Sequence, residues 1–74
     1  MTYVLAEIQD SLMAARAKYP TPLRSAHESL GIIQEEFDEF KQEVYKSELD
    51  QRAAYKELKH LAAMCVRAIE DLDL

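Results

Sequence analysis

Leu5, Ile8, Leu12, Ala15 and Tyr19 stand three and four residues apart, the repeat of one helix face, and predict a helix over about residues 2–18. Pro20-Thr21-Pro22 ends it, because neither proline fits a helix interior. Leu30, Ile33, Phe37, Phe40 and Val44 repeat the spacing and predict a second helix over about residues 26–46. Ser25-Ala26-His27-Glu28 reads as its capping box, with Ser25 capping the amide of Glu28 and Glu28 reaching back. Gly31 sits inside this helix at a cost of about 1 kcal/mol relative to alanine, which predicts a close helix crossing there. Residues 47–50 break the pattern, and Ser47 or Asp50 caps a third helix over about residues 50–72. Its stripe is Ala54, Leu58, Leu61, Cys65, Ala68 and Leu72, and Ala62, Val66 and Ile69 widen the apolar arc.

The short connection at 47–50 predicts that the second and third helices pair as an antiparallel hairpin. The arc of the third helix is wider than two short partners cover. The expectation is therefore an all-α domain over residues 1–74 whose three helices assemble into a bundle by self-association.

Composition agrees with this. A chain of 74 residues buries only about 60% of its unfolded surface and is marginal alone. One glycine and two prolines leave little material for the turns of an all-β fold. With 49% apolar and 31% charged residues the chain is globular in type. A single cysteine makes no intrachain disulfide, and Cys65 reads as a small reduced core residue. The net charge of −5 disfavours DNA, RNA or an acidic membrane as partner. A phosphate-bearing ligand would need a metal ion to offset the repulsion. The first residues lack the basic-then-apolar pattern of a signal peptide, and no run approaches the ~20 apolar residues of a membrane span. The expected location is the cytoplasm.

The acids change the picture. On a wheel of ~100° per residue, Phe37, Phe40 and Val44 fall near Ile33, while Glu36, Glu43 and Glu39 line one border of the stripe. Glu35 lies farther round. On the third helix Glu57 and His60 border the stripe in the same way, followed by Met64 and Arg67. Charged residues flanking an apolar stripe ordinarily reach into solvent. Here, however, Glu35, Glu36, Asp38 and Glu39 crowd four acids into five positions. Like charges one turn apart cost a few tenths of a kcal/mol per pair, which a bound cation would remove. Carboxylates without a cysteine set or histidine pair suit Mg²⁺ or Mn²⁺. A different reading takes Glu57-x-x-His60 with Glu36 or Glu39, doubled in a homodimer, as the ligand set of a di-iron carboxylate bundle.

Residues 25–72 also resemble the MazG-type all-α nucleotide pyrophosphohydrolases. That family carries EExxE and, on the next helix, ExxD. Glu35-Glu36-Phe37-Asp38-Glu39 is an EExxE, and Glu57-Leu58-Lys59-His60 stands where ExxD should stand. The resemblance implies hydrolysis of nucleoside triphosphates to monophosphate and pyrophosphate with Mg²⁺, in dimers or tetramers. It implies Glu36, Glu39 and Glu57 as metal ligands, with His60 at the fourth ligand position and Glu35 as an accessory catalytic acid. Arg24, Lys41 and Arg67 are candidates to hold the phosphates. His60 departs from the pattern: Mg²⁺ takes nitrogen poorly, whereas Mn²⁺ and other transition metals accept it. The alternative is a helical assembly protein that keeps the scaffold without the catalysis.

Overall fold

The computed structural model describes residues 3–74, which form α1 (Val4–Lys18), α2 (Ala26–Val44) and α3 (Gln51–Asp71). Local chemistry sets the helix starts and stops. The Ser25 Oγ accepts from the amide of Glu28 at 3.1 Å. Glu28 does reach back, but to the amide of Arg24 at 2.7 Å, one residue before the cap. Asp50 caps α3 by accepting from the amide of Ala53 at 3.1 Å. The prolines after Tyr19 keep α1 from running on. The expected ends differ from these by two residues or fewer, and Thr2 lies outside the described residues.

α3 is the central element. It packs against both α1 and α2, which do not pack on each other among the described residues. α1 runs parallel to α3: Glu7 meets Lys59 at 3.4 Å near their starts, and Arg16 meets Asp71 at 2.8 Å near their ends. α2 runs antiparallel to α3, as the short connection predicts, so that Glu39 late in α2 faces Glu57 early in α3.

The segment joining α1 to α2 crosses the C-terminal end of α3 and is tied there. Arg67, only 4% exposed, donates from Nη2 to the carbonyls of Tyr19 and Thr21, at 2.6 and 2.9 Å. Its Nε donates to Asp71 at 3.3 Å. Asp71 in turn accepts from the Leu23 amide at 2.9 Å and from Arg16 at 2.8 Å. Leu23 is buried beneath this clamp. Arg67 is therefore a structural tie, its Nε and Nη2 engaged by Asp71 and by the segment that joins α1 to α2.

The core is thin. Leu12, Leu23, Ala54, Ala63 and Ala68 are its buried apolar residues, and no large side chain is fully buried among the described residues. α2 is also rotated from the orientation its apolar stripe suggests. It turns buried Ser29 and half-buried Ile33, Glu36, Phe40 and Glu43 toward α3, and leaves Leu30, Phe37 and Val44 exposed. The Ser29 hydroxyl is accommodated by donating to the Ala26 carbonyl at 2.9 Å. Gly31 corrects another expectation. It is exposed, a Cβ there would meet nothing within 4 Å, and no helix crosses close to it. Cys65 is a free thiol, half-buried on α3 outside the buried core. No helix of the described residues is long and apolar enough to cross a membrane.

Candidate functional site

The antiparallel pairing of α2 and α3 brings Glu36 and Glu39 up against Glu57. The electrostatics record how close these groups are. The Glu36 carboxyl is pushed up to about 7, first by burial and then by the negative charge of Glu39, with Glu57 and Glu35 adding to it. Glu57 is also raised, again first by burial and then by Glu39, against the opposing pull of His60 and Lys56. Glu39 is thus the acid common to both. The Oε2 of Glu36 is buried and has no hydrogen-bond partner. A buried carboxylate oxygen left without a donor costs on the order of 1–3 kcal/mol, so the fold holds this group in an unfavourable place.

The remaining expected residues lie around this centre. The Glu57 side chain is 15% exposed, and the Nδ1 of His60 stands 3.7 Å from its Oε1, too far for a hydrogen bond. His60 is more open, at the rim. Glu35 is exposed on the outer side of α2. With Gly31, Gln34, Asp38, Glu39 and Gln42 it lines an open depression of about 540 Å³. Glu43 leaves the acid row and pairs with Lys46 at 2.9 Å. Of the phosphate-holding candidates, Lys41 extends over the ring of Tyr45 at 5.8 Å, and Arg24 precedes α2 at the helix end opposite Glu39. Lys56 was not among them, yet its charge acts on Glu57 directly. Its position next to Glu57 in the chain was the available signal.

The donor chemistry suits a hard divalent cation: carboxylate oxygens from two helices, partly buried, repelling one another, with one oxygen unpartnered. Among the described residues, no three His, Cys, Asp or Glu side chains form a ready-made set of metal ligands. No family model, curated protein or solved structure matches this chain.

Proposed function

We propose that the protein is a divalent-metal-dependent nucleotide pyrophosphohydrolase, similar to the MazG-type enzymes, which hydrolyses nucleoside triphosphates to monophosphate and pyrophosphate. The observation that carries this reading is the meeting of Glu36, Glu39 and Glu57 across the hairpin, with Glu36 held near neutral pKa and one of its oxygens unpartnered. A pair of carboxylates on one helix is common. Three that repel each other across two helices are costly unless something positive joins them.

In this reading Glu36, Glu39 and Glu57 hold Mg²⁺, or Mn²⁺ if His60 enters the set. The bound cation offsets the triphosphate charge, which a chain of net charge −5 would otherwise repel. Glu36 must give up its proton when it ligates, so cation binding strengthens as pH rises through about 7. Glu35, exposed beside Glu39, orients water at the open side of the centre. Attack of water at the α phosphorus breaks its bond to the bridging oxygen, and pyrophosphate leaves. Self-association into a dimer or tetramer belongs to the same reading, because the described residues of one copy form only three helices, none of which closes over the acidic centre.

A second reading is favoured by His60. Standing 3.7 Å from Glu57 and partly exposed, it supplies no anionic oxygen where the family pattern has one. On this view the chain is a helical assembly protein with a degenerate centre. Pyrophosphate release from common NTPs and dNTPs, with Mg²⁺ and Mn²⁺ in parallel, separates the two. The enzyme reading expects turnover by the wild type, and its loss in Glu39→Gln with helical circular dichroism intact. Silence from both the wild type and His60→Asp would sink it.

A further inference from the structure

Most cations of this chain are engaged by the fold. Arg16, Lys46, Lys59 and Arg67 pair with carboxylates, and Lys18 and Lys41 lie over tyrosine rings. Arg24 stands at the far end of α2 from Glu39. Arg52 and Lys56 differ: both are exposed, and neither forms an ion pair among the described residues.

These two share one line with His60. Residues 52, 56 and 60 stand four apart, one beyond the other along the surface of α3. With Glu57 at zero and ~100° per residue, His60, Lys56 and Arg52 fall about 60°, 100° and 140° round on the same side. The row therefore runs alongside the acidic centre. Two of its members are already close to Glu57: the Nδ1 of His60 stands 3.7 Å away, and the charge of Lys56 acts on the Glu57 carboxyl. α1 runs on from the contact of Glu7 with Lys59 toward the C-terminal end of α3, away from Arg52 and Lys56.

A phosphate chain held by a cation at the carboxylates keeps negative oxygens beyond that cation, and the same carboxylates repel them. The row supplies countercharge on the side where it is needed. Three donors one turn apart span ~12 Å at 1.5 Å per residue, and the long stems of Lys56 and Arg52 can close on a shorter anion.

Resting on the nucleotide reading for the identity of the anion, we propose that Arg52, Lys56 and His60 form a rail for the phosphate chain. His60 and Lys56 hold the phosphates nearest the acids, and Arg52 holds the terminal one. Arg52 is thereby the residue that distinguishes a triphosphate from a diphosphate. His60 serves the anion in this arrangement: a ring N–H donates to a phosphate oxygen, which an aspartate at that position would repel.

Isothermal titration of the full chain with tripolyphosphate and with pyrophosphate, at constant excess Mg²⁺, tests the rail without requiring turnover. Lys56→Gln should weaken tripolyphosphate binding about ten-fold, the loss of one charge-assisted contact, while Lys56→Arg stays within about three-fold of the wild type. Lys18→Gln removes the same charge in the last turn of α1 and should change nothing. The wild type should prefer tripolyphosphate to pyrophosphate by about five-fold, and Arg52→Gln should erase that preference. Lys56→Gln should also hold Mg²⁺ itself at least as well as the wild type, because a positive neighbour of Glu57 has gone. A damaged acidic centre would lose both. The substituted positions are exposed, and Gln, Lys and Arg are comparable helix formers, so the helical circular dichroism should persist.

A wild type that binds no tripolyphosphate at several millimolar overturns the proposal. So does a folded Lys56→Gln chain that binds it as tightly as the wild type, or an Arg52→Gln chain that keeps the preference. The enzyme reading is judged apart. These shifts without pyrophosphate release from any NTP would retain the rail and remove the enzyme, and turnover with unshifted binding would do the reverse.

Discussion

α3 carries two polar clusters of opposite construction. Near its C-terminal end Arg67 and Asp71 are almost fully buried, yet the donors engage carbonyls and carboxylates, and Asp71 accepts from an amide and two arginines. The Asp71 carboxyl is accordingly held below its ordinary value, chiefly by the Leu23 amide. Farther back along the helix Glu57 meets Glu36 and Glu39, all of one sign, with a buried oxygen that accepts from nothing. Burial is common to both, so burial alone does not distinguish the two clusters. What separates them is whether the fold supplies the countercharge. The clamp pairs its charges within the chain, whereas the acidic centre gathers like charges and leaves one buried oxygen unpartnered.

The largest test of that contrast is Arg67→Met. It strands Asp71 and the carbonyls of Tyr19 and Thr21, and should cost about 3 kcal/mol in a thermal or urea melt followed by circular dichroism. A loss under about 1 kcal/mol would mean that the clamp is incidental.

Glu36→Gln should act in the opposite direction. A carboxyl raised from 4.5 to about 7 favours folding while protonated, and that contribution is lost as pH rises through about 7. The variant should therefore melt higher than the wild type at pH 8 and equal to it near pH 4. After allowance for solvent screening the gain is on the order of 1 kcal/mol. The clamp has the reverse slope: Asp71 contributes above its ordinary 3.8 and is lost as pH falls through its lower folded value. If Glu36→Gln melts like the wild type at every pH, the centre stores no repulsion.

The smallest effect is reserved for a pair with the right charges and no burial. Arg16 meets Glu70 at 2.8 Å, but Glu70 is 56% exposed, so Glu70→Gln should change stability by less than about 0.5 kcal/mol. A loss as large as that of Arg67→Met would show that pairing, and not burial, gives the clamp its strength.

Much of this was legible in the sequence, and the failures share one cause. The caps at Ser25 and Asp50 and the stop at the prolines were legible because each depends on residues within a turn of it. The gathering of Glu36, Glu39 and Glu57 was legible because a short connection leaves two helices only one simple way to pair. Gly31 misled because the reading supplied it a neighbour that the fold does not. The tie made by Arg67 was half legible: Asp71 one turn on was a visible partner, whereas the carbonyls of Tyr19 and Thr21 come from a distant segment. The rotation of α2 was not legible at all. Its sequence offers an apolar stripe beside an acid border, and which of them meets α3 depends on what else covers the stripe.

The clamp also bears on the order in which the helices come together. α2 and α3 are joined by a few residues, so their contacts close a small loop, whereas Arg16 and Asp71 stand 55 residues apart and close a long one. The hairpin is the local structure, and loop-closure entropy favours its forming before α1 docks. Arg67 binds carbonyls from the segment that follows α1, and so it engages only once that segment has crossed the end of α3. The guanidinium acts as a latch on the finished topology: until the first helix has docked its only partner there is Asp71 on its own helix, and afterwards withdrawing that helix means breaking its buried bonds to the Tyr19 and Thr21 carbonyls.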